Sequence, residues 1–235
     1  MTPTRPYVIS WNLTYRCNLA CEHCYLDAGG RPKVDTPEFS DRRELSTEQC
    51  FSVIDQIAEF APECVLILTG GEPLLRRDIL AIVSRAAQKE LWVVIGTNGV
   101  KVTETLAGRI KKEGVRGLAL SLDALKPERH DAFRLVQGAW ENTVQGAKIL
   151  KQAELPFIIQ TTVGKHNAGE LAAIADFACE ERHHTRPRPN IGRIPFGDRD
   201  GWINKPVRLC DRHNGSVQRL TVSGSFKKVV HHGSR

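Results

Sequence analysis

No run in this 235-residue chain approaches the ~18 consecutive apolar residues of a membrane span. Its start, Met1 to Trp11, lacks the charged beginning, long apolar stretch and small-residue cleavage site of an export signal. A helical span is therefore not expected, and a cytoplasmic location is. An even set of cysteines is missing too: there are seven, with no export signal, so a disulfide framework is not expected and metal binding becomes the leading role for them. Nor is the composition that of a disordered or collagen-like chain, with 41% apolar and 26% charged residues. Area scaling lets a chain of this length bury about 70% of its surface without covalent staples, enough for one self-sufficient core.

The net charge of +6 is uneven along the chain. Residues 183–235 hold 11 Lys/Arg against 3 Asp/Glu, net +8, leaving 22 against 24, net −2, over residues 1–182. A basic tail can neutralise phosphates, but without a nucleic-acid motif it reads as a solvated extension, and nucleic acid is not an expected partner.

From Tyr7 to Arg182 strand and helix patterns alternate. Tyr7–Trp11, Cys64–Leu68, Leu91–Ile95, Gly117–Leu122 and Phe157–Val163 are short runs rich in Val, Ile and Leu, as in parallel strands buried on both faces. Helical periods lie between them. One opens with Ser46 and Gln49 in a capping box, and the last follows Asn167 and Glu170, read as an analogue of that box. Five βα units result, in an α/β fold that is either an open doubly wound sheet or a closed or partial barrel, with chemistry at the strand carboxyl ends in both cases.

After Arg182 the periodicity stops. Residues 183–235 hold five of the eight histidines, the Arg186-Pro187-Arg188-Pro189 segment and one hairpin-like region, Val217 to Val230 around Ser223-Gly224. The domain division is thus a core over 1–182 and an atypical basic tail over 183–235. The prolines disfavour the central strand that a sixth unit needs there. The tail is read as the product of a frameshift, truncation or fusion, leaving the fifth strand as an apolar edge unless the tail or another chain covers it.

The first βα loop carries Cys17, Cys21 and Cys24 in a Cys-x3-Cys-x2-Cys spacing. Thiolate suits zinc or an iron–sulfur cluster. A structural zinc wants four closed ligands; His23, between two of the cysteines, has little freedom to reach a metal that both neighbours hold. A 4Fe–4S cluster on three cysteines leaves one iron open to substrate or cofactor. Cys50, Cys64 and Cys179 fall in helix or strand patterns and read as small buried apolar side chains, and Cys210 stands alone in the tail. The second strand ends in Thr69-Gly70-Gly71-Glu72-Pro73, where two glycines let backbone approach a ligand. The third ends in Gly96-Thr97-Asn98-Gly99 and the fourth in Ser121-Leu122-Asp123. Short polar groups at successive strand ends are what a ribose and an amino-acid head require.

On these residues the chain resembles the radical S-adenosylmethionine (radical SAM) superfamily over about residues 5–182. The phrasing around the cysteines, Trp11-Asn12-Leu13-Thr14 and Cys24-Tyr25-Leu26-Asp27, looks most like maturases of the SPASM or twitch type. The resemblance implies a partial TIM-like barrel, a 4Fe–4S cluster on Cys17, Cys21 and Cys24, and S-adenosylmethionine as cofactor. It places the methionine amino group at Gly70, Gly71, Glu72 and Pro73, adenine near His23, the ribose near Ser121 and Asp123, and the methionine carboxylate opposite Arg134, with Thr97 and Asn98 also lining the cofactor. It further implies reductive cleavage to a 5′-deoxyadenosyl radical, reduced ferredoxin or flavodoxin as electron donor, and a tetrapyrrole or peptide substrate. The six βα units and cysteine-rich end of such maturases are not visible in this sequence. A truncated, inactive relative is therefore the alternative expectation, and a zinc-binding interaction protein a more distant one.

Overall fold

The computed structural model describes residues 7–26, 44–181, 207–209 and 218–220. Five parallel strands, β1 (Val8–Thr14), β2 (Val65–Gly70), β3 (Trp92–Thr97), β4 (Gly117–Ser121) and β5 (Phe157–Gln160), form one open sheet in the order of the chain. The helices are α1 (Thr47–Phe60), α2 (Ile79–Gln88), α3 (Glu104–Lys112), α4 (Pro127–Arg134), α5 (Ala139–Gln152) and α6 (Leu171–Glu181). Short 3-10 turns occupy Pro73–Leu75 and Ala168–Glu170. Sequential strand order decides between the two architectures: right-handed crossovers that all step the same way put the helices on one side, as in a barrel wall. The fold is a partial TIM-like barrel, not a doubly wound sheet.

That arrangement corrects the expectation that the strands are buried on both faces. Burial alternates along β3, where Val93 and Ile95 are inaccessible and their neighbours partly exposed. Leu66, Leu68, Val93, Ile95, Leu118 and Leu120 pack under Cys50 and Ile54 of α1, Ile79, Ile82 and Val83 of α2, Ile110 of α3 and Leu150 of α5. On the other face the register places Asn12 beside Thr69 and aligns Gly96, Ala119 and Ile158 across three strands. Ile67 and Val94 pair on this same face, and Ile158 of the edge strand is 46% exposed. Cys50 and Cys64 are buried, as expected, and Cys179 partly so.

The Ser46–Gln49 capping box forms as its spacing predicts, each side chain bonding the other's backbone N–H. The box expected at Asn167 does not. The Asn167 side chain is fully buried, donates to the carbonyls of Asp123 and Thr162 at 2.8 Å each and accepts from the Gly164 N–H at 2.9 Å. Glu170 instead receives the N–H groups of Leu125 and Lys126, at the start of α4. That helix is absent from the sequence reading because its buried face consists of His130 and Arg134 rather than apolar residues. Strand β5 stops at Gln160, short of Val163, because beyond it the Thr161 hydroxyl and Thr162 N–H bond the Leu122 carbonyl and the Asp123 carboxylate instead of continuing the ladder.

Val207–Leu209 pairs antiparallel with Gln218–Leu220, a different pairing from the hairpin around Ser223-Gly224. That turn, Cys210 and the junction at 182–190 lie outside the described residues. No helix among the described residues is long and apolar enough to cross a membrane.

Asn167→Ser retains a helix-capping hydroxyl but cannot bridge three backbone groups. It is expected to destabilise the protein about as much as Asn167→Ala, by roughly 1–3 kcal/mol in denaturant unfolding. A serine variant of wild-type stability would return Asn167 to a capping role.

Candidate functional site

The strand carboxyl ends converge on the loop that follows β1. Its start is aimed by a register shift between Asn12 and Thr14, which brings Thr14 opposite Gly70. Beyond the strand the tip of β2 continues the pairing: the Gly71 N–H donates to the Thr14 carbonyl and the Glu72 N–H to the Arg16 carbonyl, both at 2.7 Å. Gly70 has a φ of +123°, and a Cβ on Gly70 or Gly71 would overlap the carbonyl oxygen of Thr14 or Arg16 respectively. The physical need for these two glycines is thus the backbone of the cysteine loop itself, a neighbour that the sequence reading, which assigned them to a ligand, did not identify.

The loop is held at further points. The N–H groups of Ala20 and Glu22 donate to the carbonyls of Arg134 and Phe133 at the end of α4, at 3.3 and 3.1 Å. Glu44 accepts from the Thr14 hydroxyl and Tyr15 N–H, and buried Arg76 donates to the Leu13 carbonyl. The exposed His23 ring stacks on Phe133 at 4.3 Å between centroids, and Phe133 on His166 at 4.1 Å. Partial desolvation of the face stacked on Phe133, then the Arg134 charge, keeps the His23 imidazole below its ordinary pKa.

Cys17, Cys21 and Cys24 are free thiols, each partly buried. Among the described residues no three His, Cys, Asp or Glu side chains gather as a cage for a single ion. Nitrogen donors face two of the sulfurs: the Leu19 N–H lies 3.4 Å and the Asn98 Nδ2 3.9 Å from Cys17 Sγ, and Arg134 Nη1 lies 3.5 Å from Cys21 Sγ. Donors so placed suit the anionic sulfur of a metal-held thiolate better than a neutral thiol. The donor set, three soft sulfurs on one loop, fits an iron–sulfur cluster. Without a metal, burial and then the Glu72 charge, partly offset by the Leu19 N–H, push the Cys17 thiol up to about 11, so a bound metal must displace its proton.

Behind the loop lie two buried carboxylates. Glu72 is fully buried and accepts from the Thr97 hydroxyl at 2.8 Å, the Asn98 N–H at 2.8 Å and the Leu74 N–H at 3.0 Å. These donors favour its charged form, but burial outweighs them and raises its pKa to about 7. The Asn98 side chain also donates to Asn18 Oδ1 at 2.9 Å, so the tips of β2 and β3 and the cysteine loop are joined through one residue, its backbone N–H on Glu72 and its amide on the loop. Asp123, also fully buried, accepts from Arg134 Nε at 2.7 Å and from the Thr162 N–H at 2.9 Å. His130 Nδ1 accepts the Asp123 N–H at 3.2 Å, and burial first, then Arg134, lowers its pKa to about 4.

The structure therefore brings Cys17, Cys21, Cys24, His23, Gly70, Gly71, Glu72, Pro73, Thr97, Asn98, Ser121, Asp123 and Arg134 to one end of the sheet. It also pairs Asp123 with Arg134, which the sequence reading had assigned to separate parts of a ligand. Phe133, His130, His166 and Asn167 complete the site and were missed. The usable signal was Pro127-Glu128, a helix start that would have placed His130 and Arg134 on one face.

Known proteins share the sequence pattern and the fold. The Radical SAM superfamily pattern matches residues 11–178. The AdoMet-dependent heme synthase of Methanosarcina barkeri is 37% identical over 175 residues, 74% of this chain and 48% of that protein. Mycofactocin maturase MftC of Mycobacterium ulcerans is 34% identical over 234 residues, 97% of this chain and 60% of that protein. Streptococcus suis SuiB bound to S-adenosylmethionine shares the fold, with a TM-score of 0.59 at 16% identity over 75% of this chain and 39% of its own. The chain thus spans 48–60% of the length of these two sequence relatives.

Because the Glu72 pKa is raised above its unfolded value near 4.5, the native state holds a proton that the unfolded chain releases. This contribution to stability is present below about pH 4.5 and is lost as pH rises to about 7. Between pH 4 and 8 the metal-free protein should lose roughly 3 kcal/mol relative to Glu72→Gln in paired urea melts. Parallel pH profiles would show that Glu72 titrates normally.

Proposed function

This chain belongs to the radical SAM superfamily, and on that premise we propose that it is a radical SAM enzyme whose 4Fe–4S cluster is held by Cys17, Cys21 and Cys24. The observation that carries the reading is the set of N–H groups from Leu19, Asn98 and Arg134 facing cluster-type sulfurs on a loop locked to the β2 tip. The resident groups, when bound, supply reductive cleavage of S-adenosylmethionine to methionine and a 5′-deoxyadenosyl radical that takes hydrogen from substrate, with reduced ferredoxin or flavodoxin as electron donor.

The chain's own residues bind, orient and shield. The Gly70 to Pro73 turn, held against the cysteine loop, receives the methionine amino group. Arg134 receives its carboxylate through Nη1, the nitrogen that Asp123 does not engage, Ser121 and the Asp123 segment take the ribose side, and His23 packs toward adenine. Glu72 acts by fixing Thr97 and the Asn98 N–H, so that Asn98 can keep its amide toward Asn18 and Cys17. The substrate is placed on the inner sheet face, where Asn12, Thr69, Gly96 and Ala119 lie in register. Similarity to the heme synthase supports a tetrapyrrole, and the longer match to the mycofactocin maturase supports a peptide.

Anaerobic reconstitution with iron and sulfide, followed by dithionite and S-adenosylmethionine, tests the reading. The protein should turn brown and release 5′-deoxyadenosine, and Cys17→Ala, Cys21→Ala or Cys24→Ala should lower that release at least about 100-fold while Cys64→Ala retains it. Colour without 5′-deoxyadenosine would assign the chain to the inactive relatives, and tight zinc binding without colour to the interaction proteins.

A further inference from the structure

The Arg134–Asp123 pair is buried, with Arg134 7% exposed and Asp123 not at all. Arg134 Nε and Nη2 both bind Asp123 Oδ2, at 2.7 and 2.6 Å, while Nη1 is turned to Cys21 Sγ at 3.5 Å. The guanidinium therefore stands between a carboxylate and a sulfur of the cysteine loop. Its backbone carbonyl meanwhile accepts the Ala20 N–H, fixing the distance between the two segments.

Reducing a cluster adds one negative charge to it, so a nearby cation favours the reduced form and a nearby anion opposes it. In a water-poor site such charges act strongly over a few ångströms, and hydrogen bonds to sulfur and net charge are the levers by which proteins set cluster potentials. An unopposed arginine beside Cys21 would make the cluster easy to reduce and hence a weak reductant. Asp123 cancels most of that charge while leaving the N–H facing sulfur in place. We propose that Arg134 and Asp123 set the reduction potential of the cluster as an opposed pair, Arg134 raising it and Asp123 lowering it. This rests on the cluster assignment above.

The test is a redox titration of the reconstituted full chain, without S-adenosylmethionine, followed by electron paramagnetic resonance of the reduced cluster. At a fixed poise near the wild-type midpoint, Asp123→Asn should raise the reduced-to-oxidised ratio about tenfold, which is about 59 mV for a one-electron couple. Arg134→Gln should lower the ratio by a similar factor, and Arg134→Lys, which keeps the charge, should lie closer to wild type than Arg134→Gln does. Shifts of the same sign in Asp123→Asn and Arg134→Gln, or midpoints equal to wild type, would overturn the proposal. If Arg134→Gln does not assemble a cluster, the upward shift in Asp123→Asn decides alone, because a purely structural role does not raise the potential. Failure of both variants to assemble while wild type does would assign the pair to folding and also overturn the proposal. A wild-type chain with no cluster signal contradicts the cluster reading itself, so the two failures are distinct.

Discussion

The side chain missing from Gly71 is the constraint on which the site depends. With a Cβ there, the tip of β2 could not come close enough for the Gly71 and Glu72 N–H groups to reach the Thr14 and Arg16 carbonyls at 2.7 Å. Those two bonds carry the parallel pairing of β1 and β2 past the end of the sheet and fix the point from which the cysteine loop departs. The loop's far side is fixed by α4 through Ala20 and Glu22. A segment that carries three cysteines is thereby held by backbone bonds on both sides, so its backbone path is set while its thiols are free.

Placing the loop in this way brings ionisable groups out of water, and the structure compensates each one differently. Glu72 is given three donors and still has a raised pKa. Arg134 is given Asp123, and truncating one partner of such a buried pair typically costs about 3–5 kcal/mol. His130 is kept neutral by burial while its Nδ1 accepts the Asp123 N–H. Asn167 satisfies the carbonyls of Asp123 and Thr162, where the strand ladder has already ended. Polar order of this kind at the carboxyl end, above an apolar core at the helix-facing side, is what separates the site from the scaffold in a barrel.

Much of this was legible in the sequence. The apolar runs of β2, β3 and β4, the Cys17–Cys24 spacing and the Gly70–Pro73 turn are local patterns, and local patterns survive without coordinates. The partners of those patterns are not local. Nothing in the spacing of Gly71 tells that its neighbour is Arg16, or that Asp123 meets Arg134. Helix α4 was hidden because it buries charge, so the apolar periodicity that reveals helices is absent from it. Asn167 was misread for a related reason: the residue types that cap helices are also those that bridge broken ladders, and only burial tells the two apart.

Native-state hydrogen exchange of the metal-free protein, read amide by amide, tests the central claim that the β2 tip fixes the cysteine loop before any metal arrives. The Gly71 and Glu72 amides should be protected to within about tenfold of the Leu66 and Leu68 amides in the middle of β2. Exchange of Gly71 and Glu72 at the rate of an exposed loop amide such as that of Lys101 would show that the loop is free until metal binds, and would contradict the account.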